Sequence, residues 1–137
     1  MTNSSEYGAL ILRLALGVMY LAHGLLKVFV FTLPGTAAFF AGQGFPAWTA
    51  YVVVAAEILA GIALIVGFQV RLVAIAGLPI LLGALLVHLP NGWVFSAPNG
   101  GWEYPAFLIV ASVVQALVGA GAYAVQWPLA KLQPARA

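Results

Sequence analysis

The sequence predicts an all-α fold, a four-helix transmembrane bundle with both termini cytoplasmic, and three observations carry that expectation. Apolar residues fill 64% of the 137 positions and charged residues only 6%, against about a quarter charged in soluble domains; mean hydropathy is +1.08. Apolar runs recur at about 8–30, 48–67, 71–89 and 105–125, each near the ~20 residues that a helix needs to cross ~30 Å of hydrocarbon. The runs are continuous rather than alternating, which is the pattern of helices and not of barrel strands. The chain reads as a single membrane domain with a short cytoplasmic tail at 126–137.

The first span opens on MTNSSEYG. It lacks a basic leader and continues to full spanning length, so it reads as a retained helix rather than a cleaved signal. Asn3, Ser4, Ser5 and Glu6 offer caps for its first turn. Inside the stretch YLAHGLLKVF, His23 and Lys27 stand one turn apart. At 100° per residue Arg13, Tyr20, His23, Gly24 and Lys27 share an arc of about 100°, a face that turns toward partner helices.

The second span, WTAYVVVAAEILAGIALIVG, carries Glu57 about nine residues from its outer end, ~14 Å deep at 1.5 Å per residue. A charge at the bilayer centre costs about 2.5 to 3.5 kcal/mol on insertion scales, so Glu57 needs a partner or a task. A tight turn, GFQVR, leads to the third span with Arg71 and His88. Arg13 and Arg71 lie near the boundary, where snorkelling suffices for them. In the fourth span Ser112, Gln115 and Gly119 share a face, and Gln115 is expected at the depth of Glu57, as its hydrogen-bond partner.

The connections at 31–47 and 90–105 are long, apolar or aromatic, and punctuated by Pro and Gly. Trp48, Trp93, Trp102 and Tyr104 suit an interfacial aromatic belt, with a lid over a ligand as the sharper alternative. Arg13, Arg71, Lys131 and Arg136 lie toward the side of the termini, which the positive-inside bias makes cytoplasmic.

Several function classes fall away. The absence of cysteine removes disulfide exchange, thiolate metal sites and iron–sulfur clusters. A formal charge of +2 gives no nucleic-acid stripe. Phosphate loops, hydrolase triads and dinucleotide fingerprints are missing. His and Glu lack any short ligand spacing, so no metal site is expected, and a bis-His b-type haem on two isolated histidines ranks below other readings.

Helical side chains lean toward their own N-terminus, which brings Lys27 and His88 toward the level of Glu57. The expected pocket in the outer half of the bundle is lined by His23, Lys27, Glu57, His88 and Glu103, with Tyr20 and Gln115 completing the ligand-binding set. Such a set suits a quinone: Lys27 and His23 donate to a carbonyl oxygen, Glu57 carries the proton, and Glu103 and His88 stand at the entrance, which makes Glu57, His23 and Lys27 the catalytic candidates. The rival reading is an assembly or chaperone-like scaffold that holds a partner by its outer connections. A solute or proton path would need a polar stripe through both halves.

In order along the chain, RLALGVMYLAHGLLKVF, AEILAGIALIVGFQVR, His88 and NGGWEYPAFL resemble the DoxX family of small bacterial membrane proteins, over nearly the whole chain. The resemblance implies a four-helix bundle in the bacterial inner membrane, linked to thiosulfate:quinone oxidoreductase subunits and other membrane oxidoreductase complexes. Related proteins act as chaperones or trafficking factors. His23, Gly24, Lys27, Glu57, Gly61, Arg71, His88 and Glu103 fall on motif positions, Gly24, Gly61 and Arg71 as structural ones. The implied partners are the lipid bilayer, other membrane or redox subunits, and further copies of the chain. Where the family often has a G-x-G-x-x-S-x-D-like end, this sequence has Ala124 and Gln126 in place of the Ser and Asp, so no role can rest on that acid.

Overall fold

A computed structural model describes residues 3–125; Gln126, Lys131, Arg136 and the expected tail lie outside the described residues. Helix α1 (Ser4–Phe29) begins earlier than hydropathy alone indicates because Asn3 caps it, Oδ1 accepting from the Glu6 amide at 3.1 Å. The next element corrects an expectation. The first connection is not a loop but contains α2 (Leu33–Gly42), nucleated where Thr32 Oγ1 accepts from the Gly35 amide at 3.2 Å. Pro34 sits in its first turn, where a missing N–H costs nothing.

Helix α3 (Thr49–Val66) matches the second expected run. The third run is divided into α4 (Val70–Ala76) and α5 (Leu78–His88). Pro79 has no amide to offer the Ile75 carbonyl, which accounts for the interruption at Gly77. With the short turn at Leu89–Asn91, the two pieces still form one apolar stretch, Val70–Asn91. Helix α6 (Glu103–Val118) is shorter than the expected fourth span. Beyond Gly119 the chain doubles back over the ends of α1 and α3: the Ala122 amide donates to Glu6 O at 3.2 Å and the Val125 amide to Val66 O at 3.1 Å. Ser4–Phe29, Thr49–Val66 and Val70–Asn91 are long and apolar enough to cross a membrane, and α6 is a shorter apolar helix. The described residues contain no strand.

The closest helix pair is α1 with α3, and small residues make it so. A Cβ added to Gly61 would lie 2.6 Å from the Leu21 amide nitrogen and 2.9 Å from Gly17 O, so the two backbones touch at these glycines. Arg13 meets Leu64 while Gly24 meets Ile58, so α1 and α3 run antiparallel. Leu16 and Tyr20 of α1 pack with Leu64, Val70, Leu81 and Leu108 from the other helices. The opposite faces are apolar too: Ile11 is 67% and Leu59 67% exposed, as lipid-facing surfaces are.

Two polar side chains fasten helix ends. Arg13 does not snorkel. It is 1% exposed and donates to Leu64 O at 3.3 Å, Ile65 O at 3.2 Å and Ala122 O at 2.9 Å. The cation thus sits on the C-terminal carbonyls of α3, where helix-end orphans and the dipole both favour it. Arg71 treats α6 in the same way, donating to Ala116 O at 2.7 Å and Leu117 O at 2.8 Å. Gln115 is likewise a correction: its amide donates to Ala9 O at 3.3 Å and Gly119 O at 2.7 Å, and it does not reach Glu57. From the start of α6, Gln115 is ~18 Å along the axis, while Glu57 is ~12 Å from the start of α3, so the two lie at different levels.

Candidate functional site

At the end of the molecule away from Arg13 the helices part around a cavity of about 990 Å³. His23 and Lys27 of α1, Glu57 of α3, His88 of α5, and Glu103 at the start of α6 all reach it. Tyr20 lies at its base. Gln115 lies apart from the cavity, bonded at the other end of the molecule.

Lys27 and Glu57 form its ionic centre. Lys27 Nζ stands 2.9 Å from Glu57 Oε1 and 2.8 Å from Oε2. Both side chains are largely buried, and the pair gives the deep carboxylate the partner that it requires. Gly24 lets α1 lie close to α3 beside this pair, because a Cβ there would come within 2.7 Å of Ile58 Cγ1.

The two histidines are held alike. His23 Nδ1 is 2.8 Å from Met19 O, and His88 Nδ1 is 2.6 Å from Ala84 O, each one turn back on its own helix. A carbonyl only accepts, so Nδ1 is the nitrogen that carries the proton, and the neutral tautomer that fits this bond has its lone pair on Nε2. This changes the role expected of His23: in its neutral form it accepts at Nε2 rather than donates. The Tyr104 ring stands beside His23, with centroids 6.3 Å apart.

Tyr20 is 1% exposed. Ser112 approaches its hydroxyl, yet neither oxygen makes a hydrogen bond of acceptable geometry. A buried unpaired hydroxyl is costly, which marks the base of the cavity as polar and unsatisfied.

The cavity's outer cover comes from the two connections. Phe39 and Phe40 of α2 and Phe45 line one side, Trp93 and Phe95 the other. Sequence reasoning missed the α2 aromatics; the signal was TLPG, a capping Thr followed by Pro and Gly at positions that a helix start tolerates. The second connection is closed on itself. The Phe95 amide donates to Glu103 Oε1 at 2.8 Å, Asn91 Nδ2 to Gly100 O at 2.8 Å, and the Trp102 amide to Gly92 O at 3.0 Å. Gly101 allows the closure, since a Cβ there would overlap the Val94 and Trp93 carbonyl oxygens. Trp93 rests edge-on against Trp102 at 4.5 Å. Trp48, by contrast, does not line the cavity; exposed on the surface, it suits the expected aromatic belt.

The arrangement offers apolar and aromatic walls with a few convergent polar groups, the usual construction of a small-molecule site. Among the described residues no group of three or more His, Cys, Asp or Glu is placed to hold a metal ion.

A family model described as DoxX matches residues 8–89. The match takes in His23, Lys27, Glu57 and His88 and stops short of Glu103. A protein of Bacillus subtilis (strain 168) named "Putative oxidoreductase CatD" is 32% identical over 120 residues, covering 87% of this chain and 84% of its own. No solved structure matches the chain.

Proposed function

The chain belongs to the DoxX family of membrane proteins, and from that premise we propose that it is a quinone-interacting subunit of a bacterial inner-membrane oxidoreductase complex. In this reading α6 is the fourth crossing of a four-helix bundle with both termini cytoplasmic, and the cavity lies toward the outer leaflet. One observation carries the proposal: side chains from α1, α3, α5 and α6 converge on a cavity of about 990 Å³ walled by aromatic rings. The relative's printed name, an oxidoreductase, agrees with it.

A quinone exchanges two electrons and two protons with its surroundings, and that chemistry belongs to the ligand. The residues of the chain bind and manage protons. Lys27 fixes Glu57 at the cavity; His23 and His88 accept a proton or a hydrogen bond at Nε2. Glu103 keeps one oxygen for the loop and presents the other. The chain has no cysteine, so thiolate-bound clusters cannot bring the electrons, which then come from another subunit or a soluble donor.

The test is heat protection of the detergent-purified protein by a naphthoquinone or benzoquinone with a short isoprenoid tail. A ligand-induced rise in Tm of several degrees is expected, with loss of the shift in Glu57→Gln and His23→Ala. Absence of a shift with every quinone, together with no quinone in an organic extract of the fresh preparation, removes the reading.

The exposure of Trp93 at 55% and Phe95 at 71% supports a second one, an assembly protein whose outer connections grip a partner. A stoichiometric partner that survives Glu57→Gln and is lost on trimming residues 91–102 selects it.

A further inference from the structure

The groups of the cavity that can act in one sense only lean toward acceptors, and the two histidines supply most of that lean. His23 and His88 both spend their Nδ1 proton on a backbone carbonyl, at 2.8 and 2.6 Å, so both present an Nε2 lone pair. Glu103 accepts the Phe95 amide through Oε1 and keeps Oε2 as a further acceptor. The strongest donor, Lys27, directs its ammonium at both oxygens of Glu57. Thr49 donates to Pro46 O at 2.6 Å. Against these stand the Trp93 indole N–H and the third ammonium proton of Lys27, which only donate; the Tyr20 and Tyr104 hydroxyls can act in either sense, and Gln43 at the rim carries both functions.

A quinone brings only carbonyl oxygens, which accept; two facing acceptors repel and leave buried groups unpaired. Its reduced form brings two O–H donors on the same ring. From this asymmetry we infer that the cavity selects the reduced, dihydroxy form of an aromatic quinone/hydroquinone couple over the oxidised form, with the Nε2 atoms of His23 and His88 as the acceptors that discriminate. The inference rests on the quinone reading above and specifies which member of the couple the site retains. It concerns binding alone: no bond is made or broken. A site built to accept from a hydroxyl rejects an analogue that lacks it, because the acceptor is then buried without a partner.

Three ligands sharing one ring separate the possibilities: a naphthoquinone, its hydroquinone kept reduced without oxygen, and the hydroquinone dimethyl ether, which has the reduced ring but no O–H. Calorimetric titration of the purified wild-type chain is expected to give a hydroquinone Kd on the order of tenfold below those of the quinone and the ether. In His23→Phe and in His88→Phe the hydroquinone-to-quinone ratio is expected to fall toward one. Side-chain ¹⁵N spectra of the histidine-labelled protein should show Nδ1 protonated in both rings, a measurement that needs no variant. Binding of the quinone equally with, or more tightly than, the hydroquinone overturns the inference and leaves the quinone reading in place. Failure of all three ligands to bind overturns both. A haem absorption band in the purified protein also overturns the inference, because iron would then occupy the Nε2 atoms.

Discussion

Lys27 Nζ meets both carboxylate oxygens of Glu57, at 2.9 and 2.8 Å, and this one ion pair ties α1 to α3 at the cavity. Neither side chain has another partner among the hydrogen bonds of the described residues, so each depends on the other for its charge. Glu57 is 5% exposed, too little for water to take over.

Removing one partner should therefore cost far more than removing both. Lys27→Met is expected to destabilise the protein by about 3–5 kcal/mol, and Lys27→Met combined with Glu57→Leu to recover most of that loss. Reversible unfolding in mixed micelles measures it. Simple addition of the two single losses would show that the pair is not coupled.

The backbone contact of α1 with α3 makes a size prediction. Gly61→Ala places a methyl 2.6 Å from the Leu21 amide nitrogen, and overpacking of this kind costs about 1–3 kcal/mol. Gly8→Ala meets nothing within 4 Å and lies in the same helix as Gly17, so it should be neutral or stabilising by roughly 0.5–1 kcal/mol. Equal effects of the two substitutions would contradict the glycine contact.

Arg13 binds three carbonyls from two separate segments. Arg13→Lys keeps the charge but not the planar fork, and should cost about 1.5–3 kcal/mol. Amide exchange should accelerate at Ala122, whose N–H is bonded to Glu6 O, while the amides around Glu57 keep their protection. Uniform acceleration along the chain would instead indicate general destabilisation.

Much of the helical plan was legible because lipid crossing imposes length and hydropathy on local sequence. The stripe of Arg13, Tyr20 and Gly24 faces inward as its angular arc required. The capping potential of Asn3 was equally local. Convergence of His23, Lys27, Glu57, His88 and Glu103 was also legible, since side-chain lean and depth placed them at one level. Gln115 failed because its depth was counted along a helix whose start and end were both misplaced. Helix α2 stayed hidden because Pro34 and Gly35 read as a break, although the first turn of a helix accepts both. The direction of the imidazole protons was invisible, because any histidine in a helix has a carbonyl one turn back and only the rotamer decides whether it is used.

The amino-acid order by itself determined that this chain is apolar enough for a bilayer, where its long helices fall, and which face of the first one is polar. Those are sums over neighbouring residues, and neighbours along a helix are fixed by 3.6-residue geometry. Tertiary structure alone decided that Glu57 takes Lys27 and not Gln115, and that Arg13 is enclosed under the returning segment at Ala122. These depend on the register between helices, and that register is set where Gly17 and Gly61 let two backbones touch, a contact between residues far apart in the chain.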